Sequence, residues 1–221
     1  MFRDWNRRTL LGAAGASFAT KAFAGVGACV LASRAAEGPF YFDPHLMRSD
    51  IREGHDGVPL SLIFQVLDVR GCAPVRDARV DVWHADADGL YSGYDRQFQG
   101  AASTVGKTFL RGAVVTDNNG VARFETIYPG WYWGRTVHVH YKVLTGNREL
   151  LTSQIYFPDE INDRVFATRA PYNKRSGKRD VTNATEFNIT LKPIAGSFCD
   201  IIEDGQRFVA SLTVGLDRAL G

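Results

Sequence analysis

Two histidines one residue apart, His138 and His140, and two tyrosines beside turn signals, Tyr91 and Tyr132, are the side chains of this sequence best suited to chemistry. In a β-strand, residues two apart leave the same face roughly 6.5 Å from one another. Both imidazoles could then share one metal ion while Val139 packs on the opposite face. A lone His-x-His fits a solvated strand face equally well, so the tyrosines decide the reading. Tyr132 stands six residues before His138, with Arg135 between them, and Tyr91 follows the acidic turn Asp86-Ala-Asp-Gly-Leu90. Phenolates are hard oxygen donors and imidazoles are borderline nitrogen donors. Together they favour Fe(III), whose charge lowers a phenol pKa far enough for it to bind ionised. Zinc more usually gathers histidine with cysteine or carboxylates, and copper gathers thioethers or further imidazoles.

The elements that must hold these residues read as short strands. Leu60, Leu62, Phe64 and Val66 alternate with polar residues, as do Val80, Val82 and His84. Val121–Ile127 follows the turn Asp117-Asn-Asn-Gly120, and Val137, Val139, Tyr141 and Val143 alternate with His138, His140 and Lys142. Phe187, Ile189 and Leu191, then Phe208, Ala210, Leu212 and Val214, repeat the pattern. Such strands, separated by Gly, Asn and Pro turns, predict an all-β protein, a mostly antiparallel β-sandwich. The least strand-like stretch, 159–182, predicts a short helical and loop insertion, with a helix near Glu160–Thr168 and then a basic loop. Lys174, Arg175, Lys178 and Arg179 in that loop are expected on a solvated surface rather than around an anion. His84 shares a strand face with Val80 and Val82 and reads as a structural histidine; His45 and His55 have no partner at metal spacing. Trp131, Trp133 and Tyr94 either line a pocket or fill the core edge.

Of the 221 residues, 45% are hydrophobic and 23% charged, which excludes a disordered chain, and the 3 cysteines are too few for a disulfide mini-protein. The opening residues carry the pair Arg7-Arg8, a short stretch of small residues and the site Ala22-Phe23-Ala24, the form of a twin-arginine export signal over residues 1–24. The stretch is too short and too rich in Gly and Ala for a stable membrane span. Residues 25–221 then form one domain, periplasmic or extracellular, with 22 basic against 23 acidic residues. Such a balance offers no footprint for nucleic acid. Val26-Gly-Ala-Cys29 is a weak lipid-attachment site, and one pair among Cys29, Cys72 and Cys199 is plausible in an oxidising compartment.

The chain resembles the intradiol ring-cleavage dioxygenases, in their small exported group. Four segments carry the resemblance: Glu37-Gly-Pro-Phe-Tyr41, Val82-Trp-His-Ala-Asp-Ala-Asp-Gly-Leu-Tyr91, Pro129-Gly-Trp-Tyr132 with Arg135-Thr-Val-His-Val-His140, and Thr152-Ser-Gln154-Ile-Tyr-Phe-Pro158. It implies a non-haem Fe(III) held by Tyr91, Tyr132, His138 and His140, and cleavage of a catechol-type ring by O2 between its hydroxylated carbons. It further implies that Tyr132 is displaced as a base for the catechol, that Arg135 stabilises the electron-rich ring, and that Gln154 hydrogen-bonds beside the metal. Only Trp133 and Gly134 separate Tyr132 from Arg135, where better-known members have a longer loop, and Thr136 replaces a frequent proline. The helical N-terminal extension used by many members to dimerise is lacking, so the resemblance implies no oligomeric state. The alternatives are an exported β-sandwich binding module for aromatic polymers or a cell-surface partner, with a relic metal site, and a zinc hydrolase on His138 and His140, which lacks an acidic base.

Overall fold

The computed structural model describes residues 29–98, 100–191 and 196–219. The export signal predicted over residues 1–24 lies outside the described residues, as do Val26, Gly27 and Ala28. Among the described residues no helix is long and apolar enough to cross a membrane.

Two sheets make the sandwich. The first centres on β1 (Pro59–Asp68), which pairs antiparallel with β5 (Val121–Ile127) and β2 (Ala73–Pro74) and parallel with β9 (Arg207–Leu216); β9 in turn pairs with β8 (Asp200–Asp204). The second has the order β4 (Arg111–Val115), β3 (Arg79–Trp83), β6 (His138–Thr145), β7 (Arg148–Tyr156), all antiparallel. The core between them is built by the predicted alternations: Leu60, Leu62, Phe64 and Val66 on β1, Phe208, Ala210, Leu212 and Val214 on β9, and Val139, Tyr141 and Val143 on β6. Apolar residues at every second position can bury one face only, which is what a two-layer sandwich requires.

The second sheet is buried on its other face as well. His138, His140 and Lys142 lie opposite the core-facing residues of β6, and all three are buried. Three segments cover that outer face: residues 37–42, the connection from β3 to β4, and the stretch after β7. That stretch holds α1 (Asp159–Thr168), close to the helix expected near Glu160–Thr168, a single 3-10 turn at Tyr172–Lys174, and α2 (Phe187–Thr190).

Two expectations are corrected. Phe187 and Ile189 lie in α2, with Leu191 at its C-terminal cap, and not in a strand; Phe187 and Leu191 are exposed. Glu186 caps this turn by accepting a hydrogen bond from the Asn188 N–H, and three alternating apolar residues are too few to outweigh the cap without a sheet edge to join. The basic run is not simply a solvated loop either. Arg179 donates to Asp159 and Asp163 and is buried along most of its length, while Arg175 donates to the Ala87 and Trp131 carbonyls and lies 4.3 Å over the Trp131 ring. These two arginines fasten the loop to the sandwich; Lys174 and Lys178 are exposed, as expected. The cysteines are free thiols, with Cys199 buried and Cys29 beside Cys72.

Candidate metal centre

The site forms where the outer face of the second sheet meets two turns. The sheet register places Trp83 opposite His140, His140 opposite Gln154, and His138 opposite Tyr156. Directly paired residues point to the same face, so His138, His140, Gln154 and Tyr156 form one patch of that outer surface. Gln154 is fully buried there and not solvent-facing.

Tyr91 is delivered by the acidic turn. The Asp86 carboxylate accepts from the Asp88 and Leu90 N–H groups, closing the turn so that Tyr91 leaves it toward the sheet. The Gln97 side chain then clamps Tyr91 at both its N–H and its carbonyl. Tyr132 arrives on the tight turn Tyr132–Arg135, which is closed by an Arg135 N–H bond to the Tyr132 carbonyl and has Gly134 at φ +81°. The short loop expected from the sequence is thus a β-turn, and Asp180 accepts from its Gly134 N–H. Just upstream, Gly130 runs against residues 86–87; a β-carbon there would fall 2.2 Å from the Asp86 carbonyl oxygen. The absence of a side chain lets the two tyrosine-bearing turns touch.

The four donor tips converge. His138 Nε2 lies 3.1 Å from His140 Nε2, 3.2 Å from the Tyr132 hydroxyl and 3.3 Å from the Tyr91 hydroxyl. His138 Nδ1 donates to the Thr136 carbonyl at 2.6 Å, which leaves its Nε2 lone pair bare and aimed at the cluster. One lone pair cannot satisfy three neighbours at hydrogen-bond distance, and the buried His140 Nδ1 has no partner among the described residues. Spacings of this size are those of ligands around a common ion: metal bonds of about 2.0 Å in a tetrahedral shell put donors roughly 3.3 Å apart. The residues present therefore fit a metal ion. No cluster of three His, Cys, Asp or Glu side chains placed for a metal occurs among the described residues, so this centre depends on its phenols.

Electrostatics agree with that fit. Burial holds the His138 and His140 imidazoles well below the usual histidine range, and Arg135 adds to it, so both stay neutral and able to bind a cation. Burial pushes the Tyr91 hydroxyl well above the ordinary phenol value and raises Tyr132 also, though Arg135 opposes the rise at Tyr132. Without a cation these phenols keep their protons; a trivalent ion among them would offset the cost of ionising both.

Arg135 and Gln154 are brought to the cluster as expected. Arg135 Nη2 donates to Gln154 Oε1 at 2.5 Å, Tyr156 donates to the same oxygen at 2.8 Å, and Gln154 Nε2 donates to the Ala36 carbonyl. Burial alone would lower the Arg135 pKa, but Tyr132 and Glu186 outweigh it. His84 is the structural residue predicted: its Nδ1 donates to the Ala85 carbonyl and its Nε2 accepts from Thr126. Of the three aromatics left undecided, Trp131 belongs to the core, Trp133 is exposed, and Tyr94 packs edge-on to Phe40.

Several contributors escaped the sequence reading. Phe40 stacks on Tyr91 with ring centroids 4.6 Å apart, and Trp83 stacks on His140 at 4.9 Å and nearly parallel. Glu186, fully buried, accepts from Arg135 and from the Thr136 N–H. Phe40 and Trp83 sat within segments quoted above, but Glu186 lies 46 residues or more beyond the last ligand, in a stretch whose pattern suggested a strand.

The family described as Dioxygenase matches residues 36–193. Catechol 1,2-dioxygenase 1 of Acinetobacter lwoffii is 30% identical over 72% of this chain and 60% of its own length. The protocatechuate 3,4-dioxygenase beta chain of Burkholderia cepacia is 33% identical over 53% of each chain. The chain thus spans about 60% or less of these two curated relatives. Among solved structures, an intradiol ring-cleavage dioxygenase from Tetranychus urticae superimposes with a TM-score of 0.78 at 28% identity, covering 86% of this chain and 95% of its own. The dioxygenase domain of a carbohydrate-binding fusion from Streptomyces sp. SirexAA-E gives 0.63 at 25% identity, covering 85% and 99%.

Proposed function

Because the chain belongs to the intradiol ring-cleavage dioxygenase family, we propose that it binds a non-haem ferric ion through Tyr91, Tyr132, His138 and His140. With O2 it then cleaves a catechol-type ring between the two hydroxylated carbons, giving a cis,cis-muconate-type product. The observation that carries this reading is the convergence of the buried Tyr91 phenol, the half-buried Tyr132 phenol and the neutral His140 imidazole to within 3.1–3.3 Å of His138 Nε2. The ferric ion, when bound, supplies the charge that ionises the phenols and the electron demand that opens a chelated catecholate to attack by O2.

The chain's own residues divide the remaining work. Tyr91 is buried, stacked under Phe40 and clamped through its backbone, so it is the permanent phenolate. Tyr132 is half-buried on a four-residue turn beside exposed Trp133, and its phenolate is the acceptor for one of the two catechol protons. Arg135 places a positive charge beside Tyr132 and Gln154, where the ring becomes electron-rich. Gln154 presents one oxygen to Arg135 and Tyr156, which holds the guanidinium against the patch. His138 is held in a single tautomer by the Thr136 carbonyl, and His140 is oriented by Trp83.

The test is the metal content and visible spectrum of the purified protein, with anaerobic addition of catechol. Near-stoichiometric iron with a phenolate-to-Fe(III) charge-transfer band that shifts on catechol binding is expected. Colourless protein that takes up no iron on reconstitution overturns the proposal. The export reading joins it as a proposal supported by Arg7-Arg8 and Ala22-Phe23-Ala24 alone.

A further inference from the structure

We propose that Glu186 is a positioning and selectivity residue: by holding Arg135 and weakening its pull on a further carboxylate it makes the site prefer uncharged catechols over catechols that carry a carboxylate. The inference rests on the ferric catechol site above, and it concerns a residue outside that site's ligand set.

Glu186 has no exposed surface, and every hydrogen bond of its carboxylate is accepted from a donor. Oε1 accepts from Arg135 Nε at 3.0 Å and from the Asn188 backbone and side-chain N–H groups; Oε2 accepts from the Thr136 N–H at 2.8 Å and from Arg135 Nε at 3.2 Å. Only an ionised carboxylate is an acceptor at both oxygens in this way. Capping a four-residue helical turn would require neither this burial nor the two bonds to residues 135 and 136.

From this one carboxylate two chains of contacts reach the centre. Through Arg135 the first continues to Gln154, which faces His140 across the β6–β7 pair. Through Thr136 the second continues to His138, because the residue whose N–H binds Glu186 offers its carbonyl to His138 Nδ1. Arg135 and His138 are thereby set relative to each other by a single side chain.

Charge gives the second consequence. A half-buried guanidinium without a counter-ion is a strong anion site; paired through Nε at 3.0 Å with a buried carboxylate, its pull on a second carboxylate is weakened, while its Nη2 end stays on Gln154 beside the donor cluster. Of the other cations packed nearby, Lys142 pairs with Glu37 and Glu149, and Arg179 pairs with Asp159 and Asp163. Arg111 lies on the Phe42, Tyr94 and Tyr91 side and donates to Ser92, while its buried Nη1 has no hydrogen-bond partner among the described residues. A substrate carboxylate near Arg135 would meet Glu186 behind it.

The experiment uses Glu186→Gln, which keeps the shape and one acceptor oxygen but removes the charge, and Glu186→Asp, which keeps the charge. Dissociation constants for catechol, 4-methylcatechol and 3,4-dihydroxybenzoate are measured anaerobically on iron-loaded protein by the charge-transfer band. The Arg135 Nε–H resonance is followed by NMR in metal-free protein. In Glu186→Gln, binding is expected to shift toward 3,4-dihydroxybenzoate relative to both neutral catechols by about tenfold or more, equivalent to ~1.4 kcal/mol. Iron content should stay unchanged, and the Arg135 resonance should move and exchange faster. Glu186→Asp should keep the neutral preference while kcat falls more than KM rises, as the shorter carboxylate draws Arg135 from Gln154. An unchanged ligand ratio in iron-loaded Glu186→Gln overturns the selectivity role, and an unmoved Arg135 resonance overturns the positioning role. Should Glu186→Gln not fold, a Glu186→Asp protein that loses the neutral preference overturns the proposal. Failure of the parent protein to bind iron would instead refute the ferric reading, while the Arg135 resonance would still report on Glu186.

Discussion

The two tyrosines of the centre have the same chemistry and different freedom, and that difference assigns their roles. Tyr91 is enclosed by Phe40 and by a glutamine clamp; Tyr132 stands on a turn beside exposed Trp133. Tyr91→Phe should therefore cost the protein its iron, since no neighbour can replace a buried oxygen donor. Tyr132→Phe should retain iron but bind catechol slowly, by about 10²-fold, because the proton acceptor has been removed. Stopped-flow recording of the catechol-dependent absorbance change reads this directly. An unaltered rate would show that Tyr132 is not the base. Spacing alone put the two histidines on one strand face, since period-2 geometry holds whatever the rest of the fold does, but only the tyrosines beside them marked that face for chemistry. Gln154 needed the β6–β7 register to place it opposite His140.

At the level of elements, the site is made by what covers the sheet. Strand β6 is buried on both faces, which an alternating sequence does not announce: Val139 and Tyr141 report the core, while His138, His140 and Lys142 look like a solvated face. The cover after β7 begins with α1, whose buried residues are Asn162 and Val165. Asn162 accepts from the Tyr128 hydroxyl at 2.6 Å and donates to the Phe157 carbonyl at 3.1 Å, tying the helix to the end of β7 and to the segment leading into Tyr132. Replacing it with alanine leaves the buried Tyr128 phenol without a partner and removes one of the two donors to the Phe157 carbonyl, the other being Asn183, at a cost of about 1–3 kcal/mol. Urea denaturation of Asn162→Ala against the parent checks this, and a change within error would mean that α1 is held by its apolar contacts alone. The helix was visible in advance because no alternation runs through 159–168. Neighbouring α2 was not, because its cap residue, Glu186, is recruited by a partner 51 positions away.

Across the whole molecule, burying neutral histidines ties stability to pH. Burial pushes His84 down to about 4, with Arg111 and His55 adding to the effect and the bond to the Ala85 carbonyl opposing it. In the unfolded chain a histidine titrates near 6.5. Between these values the unfolded state binds a proton that the folded state refuses, so stability rises with pH across this window and is lost as pH falls through it. Above about pH 6.5 the contribution is complete; by pH 4 it amounts to a loss of roughly 3 kcal/mol. His138 and His140 act in the same direction in metal-free protein. Denaturant midpoints of the metal-free protein between pH 7 and pH 4 should fall steadily, and His84→Gln should flatten the slope. A pH-independent midpoint would contradict the buried, neutral assignment of His84.

The sequence by itself determined the sandwich, the helix near 160–168 and the four side chains to look for in one place, because strand periodicity, turn residues and donor chemistry are local properties. Tertiary structure alone decided the rest. It set the 3.1–3.3 Å convergence of those donors, the glycine contact at Gly130 that brings two turns together, and the ring stacking that immobilises Tyr91. It also recruited Glu186 and turned half of a basic loop into buried struts. Each of these depends on which distant segments lie over the outer face of one sheet. Residue periodicity shows that a strand has two faces, but only the packed chain shows what covers the second.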